Sequence, residues 1–209
     1  MNREEIAMKL HKTVFAVLLA GAFSAGAQVV SEEEAAGKKL AAAACASCHG
    51  AEGNSPGPTI PNLAGLQERY LVKQLKDYMS GKRKNDAETP CGPSLKPADI
   101  AGLAAWFSNR KPVPGKAGDP ALVAEGSKIY EQGISAKGVD DCLQCHEAGG
   151  KGAGLYPKVS GQHAAYTFKQ MRAFITHARR NDKNDVMHDV AEKMSEQEIR
   201  AVAEYLAGL

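Results

Sequence analysis

Cys45-Ala46-Ser47-Cys48-His49 and Cys142-Leu143-Gln144-Cys145-His146 are two copies of one pentapeptide, C-x-x-C-H. Two thiols three positions apart can form thioethers to the two vinyl groups of one porphyrin. The histidine that follows then offers a ring nitrogen as proximal iron ligand, so the spacing is the attachment signature of c-type haem. The copies use four of the five cysteines and two of the six histidines. Structural disulfides, a zinc ribbon or thioredoxin-type redox pairs would also use two C-x-x-C units, but a histidine directly after both pairs is explained by haem attachment. The expected cofactors are therefore two haem c groups. Cys45, Cys48, Cys142 and Cys145 are the covalent anchors, and His49 and His146 the proximal iron ligands.

Outward from the pentapeptides the chain repeats itself. Ser31-Glu32-Glu33-Glu34 predicts a capping box, with Ser31 as N-cap and Glu34 reaching back, opening an alanine-rich helix that runs into Cys45. Residues 50–61 are glycine- and proline-punctuated loop. Leu71, Leu75 and Tyr78 mark the apolar face of a helix over 67–80 that stops at Gly81. Residues 82–96 read as irregular, and Pro97 opens a last helix with Ile100, Leu103, Ala104 and Phe107 along one stripe. After Lys111-Pro112-Val113-Pro114-Gly115-Lys116-Ala117-Gly118, a proline-glycine linker, Asp119-Pro120 caps a new helix and the same order of elements returns. Ser195-Glu196-Gln197-Glu198 is the capping box of the final helix.

Residue matches make the repeat explicit. Cys45 and His49 map onto Cys142 and His146 at a shift of 97, while Pro61, Gly65, Tyr70, Lys73 and Gln74 map onto Pro157, Gly161, Tyr166, Lys169 and Gln170 at 96. Asn85-Asp86 maps onto Asn181-Asp182 at 96, and Ile100, Ala104 and Trp106 onto Ile199, Ala203 and Tyr205 at 99. The first copy therefore lacks three residues somewhere between Asp86 and Ile100. The expected organisation is a signal over 1–27, a first domain over 28–111, a linker over 112–118 and a second domain over 119–209.

The signal rests on a basic Met8-Lys9-Leu10-His11-Lys12, an apolar Val14 to Ala20 and an Ala25-Gly26-Ala27 cleavage site. Glu4 and Glu5 suit an n-region poorly, which puts the expected natural start at Met8. The apolar run is too short for a membrane anchor. Export before haem attachment points to the periplasm. A formal net charge of +2 gives no basis for nucleic-acid binding. Low aromatic content makes thin cores, which covalently held porphyrins would thicken.

A low-spin haem c takes methionine or a second histidine opposite the proximal one. In the second copy Met187 lies in the irregular stretch before the last helix, where the chain wraps over the far face of the ring. Met194, at the mouth of that helix, reads as packing, and His188 as a solvated neighbour. The first copy has no methionine between Gly81 and Pro112. Met187 shifted back by 99 gives Glu88, and by 96 gives Cys91. A Cys91 thiolate would favour ferric iron and a low potential; a Glu88 carboxylate would give a weak-field site; with neither, the position is open or holds water. Trp106 and Tyr205 are expected to pack at the haem edge.

These residues resemble the dihaem cytochrome c4 family. The resemblance is carried by Cys45-Ala46-Ser47-Cys48-His49-Gly50, Pro61-Asn62-Leu63-Ala64-Gly65 and Tyr70-Leu71-Val72-Lys73-Gln74-Leu75-Lys76-Asp77. In the second half it is carried by Gly161-Gln162-His163-Ala164-Ala165-Tyr166, Arg180-Asn181-Asp182 and Ala203-Glu204-Tyr205-Leu206-Ala207-Gly208-Leu209. It implies an all-α fold of two tandem cytochrome c-like helical domains, each wrapped around one covalently bound haem c. It also implies His49 and His146 as proximal ligands and Met187 as the distal ligand of the second haem. The first domain departs from the family pattern of two methionines spaced by two residues, having Glu88-Thr89-Pro90-Cys91 in that place.

The function expected is a periplasmic electron carrier between a respiratory donor and an acceptor. Its partners are redox proteins (a respiratory complex, oxidase or reductase), and its surface is compatible with peripheral membrane association. Two other classes compete: a dihaem redox enzyme whose first haem handles thiosulfate-type sulfur compounds or peroxide, with Glu88 as acid–base group, and a gas or redox sensor. A carrier is low-spin at both haems, whereas an enzyme or sensor has one haem that binds carbon monoxide.

Overall fold

The protein is described here by a computed structural model covering residues 31–84 and 95–209. The expected signal, Glu88 and Cys91 lie outside the described residues. Nine α-helices occur among the described residues: α1 (Glu32–Ala44), α2 (Ala46–His49), α3 (Glu68–Met79), α4 (Asp99–Ser108), α5 (Pro120–Gln132), α6 (Leu143–His146), α7 (Ala164–Ile175), α8 (Val186–Ala191) and α9 (Glu196–Ala207). These residues form no β-strand, only isolated bridges.

Each half is built on one crossing of its first and last helices, α1 on α4 and α5 on α9. The crossing is set by small residues. A Cβ on Gly37 would strike the Gly102 carbonyl, and one on Gly126 the Ala201 carbonyl. The backbones thus approach as closely as glycine allows. Around each crossing sits an apolar cluster: Ala41, Leu66, Leu71, Leu103, Trp106 and Phe107 in the first half, and Ile129, Tyr130, Val139, Met194, Ile199 and Val202 in the second. Trp106 lies against the Lys38 ammonium of α1 at 5.3 Å and the Arg110 guanidinium at 3.7 Å, and Tyr205 packs on Tyr130 of α5 with ring centroids 5.5 Å apart. Both aromatics therefore sit at the seams between first and last helices.

The repeat read from sequence is a repeat in space. Gly65 N–H donates to the Phe107 carbonyl at 2.9 Å, and Gly161 N–H to the Leu206 carbonyl at 2.8 Å. The Gly53 carbonyl accepts from Leu63 and Ala64, as the Gly150 carbonyl does from Val159 and Ser160. One difference escapes the sequence matches. The shift is 97 at the cysteines but only 89 between Gly37 and Gly126, so the second half carries eight extra residues before its C-x-x-C-H. They form a turn closed by the Ile134–Val139 bridge, and its Lys137 pairs with Glu198 at 2.7 Å.

Local expectations are met unevenly. Ser31 caps α1 through the Glu34 N–H at 3.1 Å, but Glu34 does not reach back. Its carboxylate bonds Arg110 at 2.9 Å and Asn109 at 3.1 Å, because the crossing brings the end of α4 over the start of α1. Ser195 and Glu198 do form the reciprocal capping box of α9. α4 begins at Asp99, two residues after Pro97, and the Asp99 side chain accepts from the Lys96 N–H.

Candidate functional site

The two C-x-x-C-H units have the same local build. Each ends in a single helical turn, α2 or α6, whose histidine N–H donates to the carbonyl of the first cysteine at 2.9 Å. The turn aims the histidine ring at the loop that follows. There His49 Nδ1 lies 2.9 Å from the Pro61 carbonyl, and His146 Nδ1 lies 2.9 Å from the Pro157 carbonyl. A carbonyl can only accept, so Nδ1 carries the proton in both rings and Nε2 is the lone-pair nitrogen. Burial lowers the pKa of each ring further than the carbonyl bond raises it, which keeps the imidazole neutral. A neutral ring oriented through its second nitrogen is the form that ligates a metal.

The first cysteine of each unit, Cys45 or Cys142, packs against its domain's apolar cluster, and neither pair is closed into a disulfide. On α7, Phe168, Met171 and Ile175 pack on the second cluster while remaining only partly buried. A thiol pair on the rim of an apolar wall, with an Nε2 donor beside it, fits a flat macrocycle held at one edge and ligated from below.

Met187 sits in the first turn of α8, where the sequence reading had irregular chain. The turn is set by Asn184 and Asp185, both at positive φ, and by Asp182 Oδ2, which accepts from the Met187 N–H at 2.8 Å. Met194 is buried in the second core, as its register predicts. His188 is not a solvated neighbour. Its Nδ1 donates to the Phe174 carbonyl at 3.0 Å and its ring stacks on His177 at 3.8 Å.

The cytochrome c family model matches residues 34–111 and 123–209, one match per half. Cytochrome c4 of Pseudomonas aeruginosa is 41% identical over 179 residues, covering 84% of this chain and 89% of that protein. The chain belongs to the cytochrome c family and, within it, to the dihaem cytochrome c4 group. The crystal structure of reduced recombinant cytochrome c4 from Pseudomonas stutzeri matches with a TM-score of 0.77 at 40% identity, covering 86% of this chain and 99% of that one. A protein named thiosulfate dehydrogenase electron acceptor, from Thiomonas intermedia, is 38% identical over 170 residues, covering 79% of this chain and 78% of that protein. As a dihaem cytochrome c4, the protein carries two covalently bound haem c groups and transfers electrons.

The cytochrome c4 fold also brings together residues whose joint role the sequence reading missed. Arg83 donates to Gln74 Oε1 at 2.6 Å in its own half, and to Tyr166 Oη at 3.0 Å and Gln170 Oε1 at 2.8 Å in the other. Arg179 mirrors it, donating to Gln170 Oε1 at 2.8 Å and to Tyr70 Oη at 3.1 Å. Asn181, 1% exposed, donates to Gln74 and Asp77, and its carbonyl accepts from the Lys73 ammonium. Nearer the proximal histidines, the Asn62 and Gln162 backbone and side chain exchange two bonds of 2.9 and 3.0 Å. The repeat of Tyr70, Lys73 and Gln74 in Tyr166, Lys169 and Gln170 was the available signal: the same polar side chains at the same positions of two amphipathic helices.

Proposed function

We propose that this cytochrome c4 works in the periplasm as a carrier that accepts electrons from a respiratory or dehydrogenase partner and passes them to an oxidase or reductase. The chain would be exported on a signal over 1–27, leaving haem domains at 28–111 and 119–209 joined by 112–118. Among the described residues no helix is long and apolar enough to cross a membrane. In this reading Cys45 and Cys48, and Cys142 and Cys145, would hold the two haems, with His49 and His146 as iron ligands and Met187 as a further ligand of the second iron. Haem iron supplies the one-electron chemistry, cycling between ferric and ferrous states. The protein's part is to hold the ligands still. The Pro61 and Pro157 carbonyls fix each imidazole's tautomer and direction, and Asp182 fixes the backbone that presents Met187. The observation that carries the proposal is the identical histidine-to-proline bond in both halves, 2.9 Å each.

One sequence feature favours a second reading: the first half has no methionine between Gly81 and Pro112. A first haem ligated by Cys91 or Glu88, or open to substrate, would suit a dihaem enzyme acting on sulfur compounds, or a gas sensor. Electron paramagnetic resonance of the oxidised holoprotein and of Cys91→Ser separates these readings. Two low-spin signals, one of narrow g-spread that vanishes in Cys91→Ser, would assign Cys91 to the first iron and support the carrier. A high-spin signal unchanged by the substitution, with carbon monoxide binding on reduction, would replace the carrier with the enzyme or sensor.

A further inference from the structure

Helix α8 carries more ligand chemistry than Met187. His188 and Asp189 follow on the same helix, and Glu192 closes it. One donor atom from each of these three side chains lies within 4.8 Å of the other two. The four-residue step from His188 to Glu192 puts both on one helix face. The imidazole is held from two directions. Its Nδ1 lies 3.0 Å from the Phe174 carbonyl, in the last turn of α7, and its ring stacks on His177 with centroids 3.8 Å apart. A carbonyl can only accept, so Nδ1 carries the proton and Nε2 keeps a lone pair. A histidine oriented through its second nitrogen in this way is built like a metal ligand. His49 and His146 are held by the same device.

Nε2 of His188 faces Glu192 Oε2 at 3.4 Å. A lone pair and a carboxylate so placed repel unless they share a cation. A proton on Nε2 would join the ring to one carboxylate only; with Asp189 as a third donor the set suits a metal ion. The spacing fits. With bonds of about 2.0–2.2 Å at tetrahedral angles, two ligands of one zinc ion stand about 3.4 Å apart. The ion pairs among the described residues give neither Asp189 nor Glu192 a lysine or arginine partner. The neighbouring Asp185 is taken by Arg180 at 2.9 Å. Both Asp189 and Glu192 are exposed, whereas the His188 side chain is 18% exposed, so an ion enters from solvent onto a fixed nitrogen.

We propose that His188, Asp189 and Glu192 form a site for one divalent transition-metal ion on the surface of the second domain, next to the residue that presents Met187. An imidazole nitrogen with two carboxylates suits zinc, nickel or copper(II), whereas calcium and magnesium take oxygen ligands. Three protein donors leave the fourth tetrahedral position to water. The residues assigned to the haems take no part, and the ion keeps its oxidation state on binding.

The test is a calorimetric titration of untagged, metal-stripped holoprotein with zinc chloride at neutral pH, joined by zinc K-edge X-ray absorption on the loaded sample. The variants are His188→Gln, Asp189→Asn and Glu192→Gln. The last two alter exposed, nearly isosteric side chains, so they keep the test sound should His188→Gln fold poorly. Wild type is expected to take up one zinc ion per chain, with a single imidazole nitrogen and oxygen atoms as its ligands. Loss of even an outer partner of a metal ligand weakens binding roughly tenfold. Asp189→Asn and Glu192→Gln are expected to weaken it by more, and His188→Gln to abolish it. The proposal is overturned by the absence of saturable zinc uptake in wild type, by affinity unchanged in Asp189→Asn and Glu192→Gln, or by sulfur among the zinc ligands, which would place the ion at a cysteine.

Discussion

Asp182 shows how much a single side chain can decide. One carboxylate oxygen accepts from the Met187 N–H at 2.8 Å; the other is buried with no hydrogen-bond partner among the described residues. The bond caps a six-residue helix whose approach runs through two non-glycine residues at positive φ, Asn184 and Asp185. Such backbone costs energy and persists because its surroundings hold it. Asp182→Ala is expected to cost about 1 kcal/mol, the usual loss of a cap, and to weaken the absorption arising from methionine sulfur on ferric iron. Denaturant melts and the visible spectrum of the same sample check both, and an unaltered methionine absorption would mean that Asp182 does not position Met187. At this scale the sequence was most informative where chemistry dictates spacing. His49 and His146 follow from C-x-x-C-H, and Pro61 and Pro157 from the repeat. Glu34 was misread because a capping box is a local pattern, while its carboxylate answers to Arg110 and Asn109, over seventy residues away.

At the scale of elements, the crossings of α1 with α4 and α5 with α9 govern stability. Gly37→Ala and Gly126→Ala would each drive a methyl group into a carbonyl of the facing helix. Overpacking of this kind costs about 3 kcal/mol, and thermal melts of the two variants should show it in the substituted domain. Across the same crossing, Glu34→Ala leaves the Arg110 and Asn109 donors unmatched. A hydrogen bond to a charged group contributes about 2 kcal/mol, so a loss of that size is expected in chemical denaturation, and no loss would make the contact incidental. The helices themselves were legible from apolar spacing and capping residues. The eight-residue insertion before Cys142 was not. Matching cysteine to cysteine absorbs the offset, and only the glycines at the helix crossing, Gly37 and Gly126, expose it.

The whole molecule is two copies of a domain that meet through polar groups, and sequence alone could not say which repeated residues face each other. Tyr70, Gln74 and their counterparts are repeated because each copy presents the same face to the other, an arrangement that makes a pseudo-twofold interface self-complementary. Asn62 and Gln162 are buried within it, each 9% exposed. The Gln162 side chain accepts from the Asn62 N–H and donates to the Asn62 carbonyl, closing a pair within the barrier between the haem pockets. Gln162→Ala removes both partners at once and strands a buried N–H and a buried carbonyl, a loss of roughly 3 kcal/mol at typical desolvation costs. Because the bonds link the halves rather than support either, the loss should fall on their coupling. Calorimetry of the wild-type holoprotein is expected to give one unfolding transition, and Gln162→Ala two, with the visible spectrum of both haems unchanged at room temperature. A single transition merely lowered in temperature would mean that the interface is held elsewhere, with the arginine cluster the next place to cut.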